Sequence, residues 1–171
     1  MFSKTLAKVC LFFGLGLLLG TGLVMGNHAW TCQGNTAYHW QTPDVKYRNR
    51  ARGYYKTAYT NSVNLWDTTI INLSGGNGLT LYSGNYGLNG WLGLASISVS
   101  GCTITSATCY LNNSYLQSYS NTAIDHVACQ EVGHTFGLDH NRSANDTCMN
   151  DTILIGNVIN QHDYDQLDAI Y

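Results

Sequence analysis

Charged side chains are scarce in this chain, because Asp, Glu, Lys and Arg together make up 11% of its 171 residues. Glutamate occurs once, at Glu131, and proline once, at Pro43. Eight basic residues face ten acidic ones, so the formal net charge is −2. This leaves little positive charge for contacts with phosphates, and we expect no nucleic-acid partner. The polar surface must come mainly from Asn, Ser, Thr and Tyr.

An uncharged apolar stretch at residues 9–25 follows two lysines near the start of the chain. This pattern is typical of a secretory signal peptide. The stretch lies at the lower limit of length for a membrane-spanning helix, and its four glycines weaken it further. We therefore predict a signal peptide at residues 1–29, removed after Gly26 or Ala29, with a retained membrane anchor as the alternative. The remaining domain would be secreted, extracellular and free of the membrane.

Residues 30–171 are long enough for one domain with a buried core, and no linker or change in composition marks a second. Because this domain has an odd number of cysteines, an oxidising compartment leaves one of them unpaired. We expect that one to be Cys32, in the N-terminal tail. Cys102 and Cys109 bracket a short segment and are predicted to form a local disulfide, the alternative being two unrelated thiols.

Apolar residues recur along this domain with spacings that predict both strands and helices. At residues 91–100, Ala95, Ile97 and Val99 alternate with serines, which indicates a strand with one buried face. The other predicted elements are strands at residues 45–48, 79–82 and 108–111, helices at 53–67 and 121–136, an irregular loop at 141–158 and a last helix that begins at Asn160.

A run of candidate metal ligands, from Gln130 to His140, covers the end of the second predicted helix and the residues after it. Side chains four residues apart on a helix project from one face, so Gln130 and His134 can hold a common ion. Glu131 stands beside them, within reach of a water on that ion, as a general base requires. Gly137 can adopt the left-handed conformation that turns the chain and brings His140 back as a third ligand. Three protein ligands leave a position open for water, which is typical of a catalytic zinc site.

This run resembles the metzincin signature H-E-x-x-H-x-x-G-x-x-H, with Gln130 in place of the first histidine. Further similarities are found in three places: Cys148-Met149-Asn150 resembles the Met-turn, residues 90–95 resemble the cleft-lining edge strand of matrixin-like members, and residues 162–171 resemble their closing helix. The resemblance implies an α+β, zincin-like fold. Such a fold has a twisted, mainly parallel sheet with an antiparallel edge strand, an active-site helix, a Met-turn and a C-terminal helix.

The resemblance also implies an activity, that of a monomeric zinc metalloendopeptidase acting on proteins or peptides. Zn²⁺ held by Gln130, His134 and His140 would polarise the scissile carbonyl, while Glu131 passes a proton from the attacking water to the leaving amine. The substrate would lie extended along residues 91–99, as one more strand at the sheet edge.

Gln130 departs from the family pattern because its neutral carboxamide oxygen is a poorer zinc donor than an imidazole nitrogen. We therefore expect a lower affinity for zinc. Loss of productive zinc binding would leave an alternative, a catalytically inactive module that binds peptides or surfaces. His126 is too far along the helix to share an ion with His134, and we interpret it as an ordinary helix-surface histidine.

In a metzincin-like fold, Cys129 and Cys148 lie close together, because they directly precede Gln130 and Met149. A disulfide between them would tie the active-site helix to the Met-turn and stabilise the fold by roughly 3 kcal/mol. We hypothesise that it holds Gln130 in a coordinating geometry. The alternative, that Cys129 is itself a ligand, is disfavoured because its side chain points about 100° away from Gln130 on the helix.

Overall fold

The computed structural model describes residues 6–10, 28–152 and 156–171. Most of the predicted signal peptide therefore lies outside the described residues, which include only its residues 6–10, 28 and 29. Within the described ranges, no helix is long and apolar enough to span a bilayer.

Nine strands and four helices make up the described part of the chain. The strands are β1 (Leu6–Cys10), β2 (Thr31–Gln33), β3 (Thr36–Ala37), β4 (His39–Trp40), β5 (Asp44–Asn49), β6 (Asn72–Gly75), β7 (Leu79–Gly84), β8 (Gly93–Ser100) and β9 (Thr103–Asn112). The helices are α1 (Tyr54–Trp66), α2 (Asn113–Leu116), α3 (Asn121–His134) and α4 (Gln161–Ile170). The strands and long helices predicted from the sequence are present with end shifts of one or two residues, except that the strand predicted at 108–111 begins five residues earlier, at Thr103.

Seven of the strands form one mixed sheet in the order β1-β8-β9-β7-β5-β6, with β4 paired to the start of β9. The strands β9, β7, β5 and β6 run parallel, so the prediction of a mainly parallel sheet is confirmed. β8 runs antiparallel to β9. The resemblance predicted β8 as the edge strand, but β1 pairs antiparallel with its outer side, so β8 is second from that edge.

Helices α1 and α3 pack against each other and against one face of the sheet. Strand β8 follows the predicted alternation up to Ser98: Ala95 and Ile97 are fully buried, whereas Ser96 and Ser98 are partly exposed. Val99, predicted on the buried face, is only partly buried. Trp66 of α1 is also fully buried and donates its indole N–H to the backbone oxygen of Cys129 on α3 at 3.0 Å. Burial of each large apolar side chain in this core contributes roughly 1.5–3 kcal/mol.

The described residues contain two disulfides, and one of them corrects the sequence-based pairing. Cys129 bonds to Cys148, as the resemblance implied. Cys102 bonds to Cys32 and not to Cys109, which is buried and unpaired. The prediction of a Cys102–Cys109 bridge was wrong because the residues between them belong to one extended strand, β9. At about 3.3 Å per residue, the two cysteines lie about 23 Å apart along it, far beyond disulfide range.

The C-terminal helix is fixed at its start by the predicted N-cap. Asn160 accepts a hydrogen bond from the backbone of Asp163, whose carboxylate accepts one from the backbone of Asn160, so the two residues form a capping box. The same carboxylate also accepts the hydroxyl hydrogen bond of Thr147. This contact attaches α4 to the loop that carries Met149.

Candidate metal centre

Helix α3 carries three of the four predicted site residues. Ser120 caps its start by accepting a hydrogen bond from the backbone of Ala123. From Ala123 to His134, all residues except Asp125 are buried, because one side of the helix faces the sheet and another faces α1. The candidate ligands are therefore held on a helix that is enclosed by protein.

Gly137 turns the chain after α3 and brings His140 back towards the helix. Its φ of 94° lies in the left-handed region, and an added Cβ would be 2.0 Å from the backbone oxygen of Tyr38. Only glycine satisfies both conditions. As predicted, the turn places His140 beside His134, with their Nε2 atoms 3.1 Å apart.

Each of the two rings has a second contact through its Nδ1 atom. His134 Nδ1 lies 2.9 Å from the backbone oxygen of Leu138, which can only accept, so the proton of His134 is on Nδ1. His140 Nδ1 accepts a hydrogen bond from Arg142 Nη2 at 3.2 Å. It also lies 3.0 Å from Asp151 Oδ1, an ion-pair distance, while Arg142 donates a further hydrogen bond to Asp151 Oδ2.

The Nε2 atoms of the two imidazoles contact one another in a buried site. Burial and, second to it, the neighbouring His140 lower the pKa of His134 to about 3. Burial also lowers the pKa of His140, with the Asp151 carboxylate opposing this effect. Nitrogens bound at 2.0–2.1 Å to one tetrahedral zinc ion are about 3.3 Å apart, so this pair fits the metal that the resemblance implies.

Gln130 lies one helical turn before His134, and its amide is anchored by the Met-turn. Gln130 Nε2 donates to the backbone oxygen of Asn150 at 2.7 Å. This contact fixes which end of the carboxamide carries the hydrogens. The oxygen, Oε1, is therefore the atom that is available to bind a metal ion. Gln130 Oε1 accepts no hydrogen bond within the described residues. The structure thus gives Gln130 a free oxygen but does not bring it into hydrogen-bond contact with either histidine.

His126 occupies the turn before Gln130 and shares the same acceptor. Its Nε2 lies 3.1 Å from the backbone oxygen of Asn150. The interpretation of His126 as a helix-surface histidine was wrong, since the residue is 1% exposed and burial lowers its pKa. The sequence did not indicate the burial of His126, because the loop that covers this face of α3 comes from a later part of the chain.

No third ligand comes from the usual charged or sulfur-containing residues. In the ranges that the structure describes, no group of three or more His, Cys, Asp or Glu side chains is placed to hold a metal ion. The candidate centre therefore has two imidazole donors, and a third donor from the protein would have to be a neutral group such as the amide of Gln130.

Glu131 is buried against β8 on the side of α3 that faces the sheet. An added Cβ on Gly93 would be 2.5 Å from Glu131 Oε1, so the glycine makes room for this carboxylate. Burial raises the pKa of Glu131 to about 8, partly opposed by a hydrogen bond from the backbone of Ala95. Residues three apart on a helix are neighbours, so Glu131 adjoins His134. A nearby cation would favour its ionised form, which is the form that accepts a proton.

Trp30 is a site residue that the sequence did not indicate. Its ring stacks on the imidazole of His134, with centroids 5.0 Å apart and an interplanar angle of 11°. The backbone N–H of Trp30 donates to the oxygen of Gly137 at 2.8 Å. The N-terminal tail thus supports both the ligand and the turn after it. No motif marks Trp30, because the contact joins parts of the chain about 100 residues apart.

The Met-turn lies directly against the ligand segment. Met149 is 1% exposed, and its backbone oxygen accepts a hydrogen bond from the N–H of Asn141, the residue after His140. The Cys129–Cys148 disulfide connects the same loop to α3. Helix, turn and loop therefore form one cross-linked unit around the two histidines.

Comparison with known proteins supports the same interpretation for this unit. Residues 112–162, which are 51 of the chain's 171 residues, match a family model described as Met-zincin. No curated protein matches the chain. The matched segment contains Glu131, His134, His140 and Met149. The match supports a metzincin-type metallopeptidase family, and the mainly parallel sheet with four helices is compatible with a zincin-like fold.

Proposed function

We propose that this protein is a zinc-dependent endopeptidase of matrixin-like metzincin type, in which Gln130 replaces the first histidine ligand. The observation that carries the proposal is the contact between His134 and His140, whose Nε2 atoms lie 3.1 Å apart in a buried site, close to the spacing of two ligands of one zinc ion. His134 Nδ1 is oriented by the backbone oxygen of Leu138, and the Asp151 carboxylate lies 3.0 Å from His140 Nδ1. Oxygen neighbours of this kind are usual for histidines that bind metal.

Each residue of the site has a separate role in the proposed reaction. Bound zinc would supply a Lewis acid that polarises a carbonyl and lowers the pKa of a water molecule. His134 and His140 would hold the ion, with Gln130 Oε1 as the third donor from the protein. Glu131 accepts the proton of the attacking water and returns it to the leaving amine, and its burial keeps competing water away.

Substrate binding is proposed at the outer edge of β8. An extended peptide would add to this edge as an antiparallel strand, close to Glu131, which packs against Gly93. The edge is able to accept such a strand, because Leu6–Cys10 pairs with it from Leu94 to Ser98. Removal of residues 1–29 as a signal peptide would free it for substrate.

A secreted, extracellular location is part of the proposal. Its support is the pair of disulfides, Cys32–Cys102 and Cys129–Cys148, since such bonds persist in oxidising compartments. Expression of the full chain in a secreting host, followed by N-terminal sequencing of the protein in the medium, tests it. We expect a mature N-terminus within a few residues of Asn27.

The activity is tested by combining metal analysis with a cleavage assay. Purified protein should contain close to one zinc per chain and cleave casein or gelatin in a chelator-sensitive reaction. The Glu131→Gln variant should keep its zinc and its fold but lose cleavage, because it retains the shape of the side chain without a proton acceptor. Retained turnover in this variant would refute the role of Glu131.

A second candidate function is a catalytically inactive module that binds peptides. The contact between Gln130 Nε2 and the oxygen of Asn150 favours it, because this amide is held by protein even without an ion. The same metal analysis distinguishes the two. Protein that stays free of zinc in a zinc-containing buffer, yet binds peptides, would support the module.

A further inference from the structure

A cavity lies on the face of the sheet opposite to α3. Along β8 and β9 the side chains alternate, so Ala95 and Cys109 face the helices while their neighbours Ser96 and Tyr110 face the other way. On that outer face is a cavity of about 500 Å³. Its volume is in the usual range for small-molecule sites. None of the candidate metal ligands lines it.

Aromatic rings form one side of this cavity. Tyr86 packs edge-on against Tyr110, with centroids 5.5 Å apart, and lies 5.3 Å from the ring of Trp91. Tyr82 stacks on the far side of the group against Tyr110 at 5.8 Å. Tyr86 is 38% exposed, so the cluster is open to solvent and is not a closed core. Rings presented in this way offer flat apolar surfaces to a ligand.

Hydroxyl groups line the floor beside the rings. They belong to Ser96 and Ser98 of β8 and to Ser106 and Thr108 of β9. In the part of the chain that the structure describes, none of these four hydroxyls makes a hydrogen bond to protein. An apolar ligand would bury them without partners, which costs free energy. A ligand with hydroxyl groups of its own would satisfy them.

Charge is missing from the described lining of the cavity. A phosphate, a sulfate or a carboxylate on the ligand would therefore lose its hydration without gaining a cationic partner. Among the described residues, the lining thus combines aromatic rings and hydroxyls without protein partners, and it carries no charged side chain. Such a lining is complementary to a neutral polyhydroxylated molecule. The C–H face of a sugar ring stacks on aromatic surfaces, and its hydroxyls pair with serine and threonine.

The loop that carries Tyr86 and Trp91 is held in place before any ligand binds. Asn112 is fully buried and accepts a hydrogen bond from the backbone of Tyr86. Its Nδ2 lies within hydrogen-bond distance of the backbone oxygens of Gly87 and Trp91. Such preorganisation lowers the entropy cost of binding.

We propose that this outer-face cavity binds a neutral carbohydrate, with a sugar ring stacked against Tyr110, Trp91 and Tyr86 and its hydroxyls bonded to the serines and threonine of β8 and β9. The site is separate from the candidate metal centre, since the sheet lies between them. It would attach the protein to a glycan without involving the proposed catalytic residues.

Isothermal titration of the purified protein with cellohexaose, chitohexaose and maltohexaose tests the proposal, with a heparin hexasaccharide as the charged probe. We expect saturable one-to-one binding of at least one neutral hexasaccharide and weaker or no binding of heparin. Absence of saturable binding by all three neutral probes would overturn the proposal, and so would tighter binding of heparin.

Substitutions locate the binding. Tyr110→Ala should weaken binding about tenfold or more, because it removes the central ring, whereas Tyr110→Phe should retain it. Ser98→Leu should also weaken binding, by filling the floor without removing a ring. Tyr119→Ala is the matched control, since Tyr119 is 37% exposed but does not line the cavity. Binding that is equal in Tyr110→Ala, Ser98→Leu and the unchanged protein would contradict the assignment.

Discussion

Two pairs of polar side chains, one on α3 and one formed by its last residue and the segment after it, differ in the groups that they contact. His126 and Gln130 both contact the backbone oxygen of Asn150, at 3.1 and 2.7 Å, so one nitrogen of each side chain is held by the Met-turn. His134 and His140 instead contact each other through their Nε2 atoms, 3.1 Å apart. The second pair therefore has the spacing of two ligands of one zinc ion, which the first pair lacks.

This difference explains how a glutamine can stand where the family signature has histidine. The amide keeps one end on the Met-turn and leaves the other end free, so it combines an anchoring contact with a weak donor atom. The two histidines provide the strong donors. Zinc affinity should therefore depend mainly on the histidine pair and only in part on Gln130.

Replacement of one residue in each pair gives the largest expected contrast. His134→Ala should lower zinc affinity by well over 100-fold, because it removes a directly bound nitrogen. Even the replacement of residues that only hydrogen-bond to the ligands lowers affinity by roughly 10–100-fold. His126→Ala removes an equally buried imidazole from the same helix but no ligand, so its zinc affinity should remain close to that of the unchanged protein. Competition with a chromogenic chelator measures both. Equal losses in the two variants would remove the distinction between the pairs.

The two disulfides can be compared by how much each one contributes to the free energy of unfolding. Removing Cys129–Cys148 with a double serine variant should lower the free energy of unfolding by roughly 3 kcal/mol, and removing Cys32–Cys102, which closes a longer loop, by about 4 kcal/mol. Denaturant unfolding measures both. Only the first bond joins α3 to the Met-turn, so only its loss should weaken zinc binding as well. Unchanged zinc affinity in Cys129→Ser would show that the bond does not orient Gln130.

Substitutions of Gln130 itself test whether its oxygen is a ligand. Gln130→His should raise zinc affinity by roughly 10–100-fold, since imidazole is the better donor. Gln130→Ala should lower it about tenfold. His126→Ala serves as the control, because it also removes a contact to the oxygen of Asn150 without removing a donor atom from the ion. If Gln130→Ala bound zinc as tightly as the unchanged protein, Gln130 would be structural only.

Features that depend on neighbouring residues could be predicted from the sequence. The alternation of Ala95 and Ile97 with serines gave β8, and Asn160 marked the start of α4, because both signals are local. The approach of His140 to His134 also follows from nearby residues, since Gly137 alone provides the turn. The strongest part of the candidate site lies within eleven consecutive residues.

Contacts between distant segments could not be predicted in this way. Cys32 and Cys102 are 70 residues apart, and their pairing depends on how the N-terminal tail returns to the sheet. The stacking of Trp30 on His134 depends on the same path. His126 seemed exposed because its helical position alone does not reveal that the loop with Asn150 covers it. Each of these errors concerns burial or pairing that only the tertiary fold decides.

The smallest expected effect concerns the carboxylate behind His140. Asp151 Oδ1 lies 3.0 Å from His140 Nδ1, where the carboxylate can orient the imidazole. Asp151→Asn should therefore weaken zinc binding about tenfold, the lower end of such effects, without unfolding the protein. Asp168→Asn, on the exposed side of α4, removes the same charge as a control. If both variants weakened zinc binding equally, the effect would be one of net charge. A loss of zinc affinity confined to Asp151→Asn would show that the Asp151 carboxylate orients His140 for metal binding. Gln130 and His126 would then differ from the histidine pair in this respect.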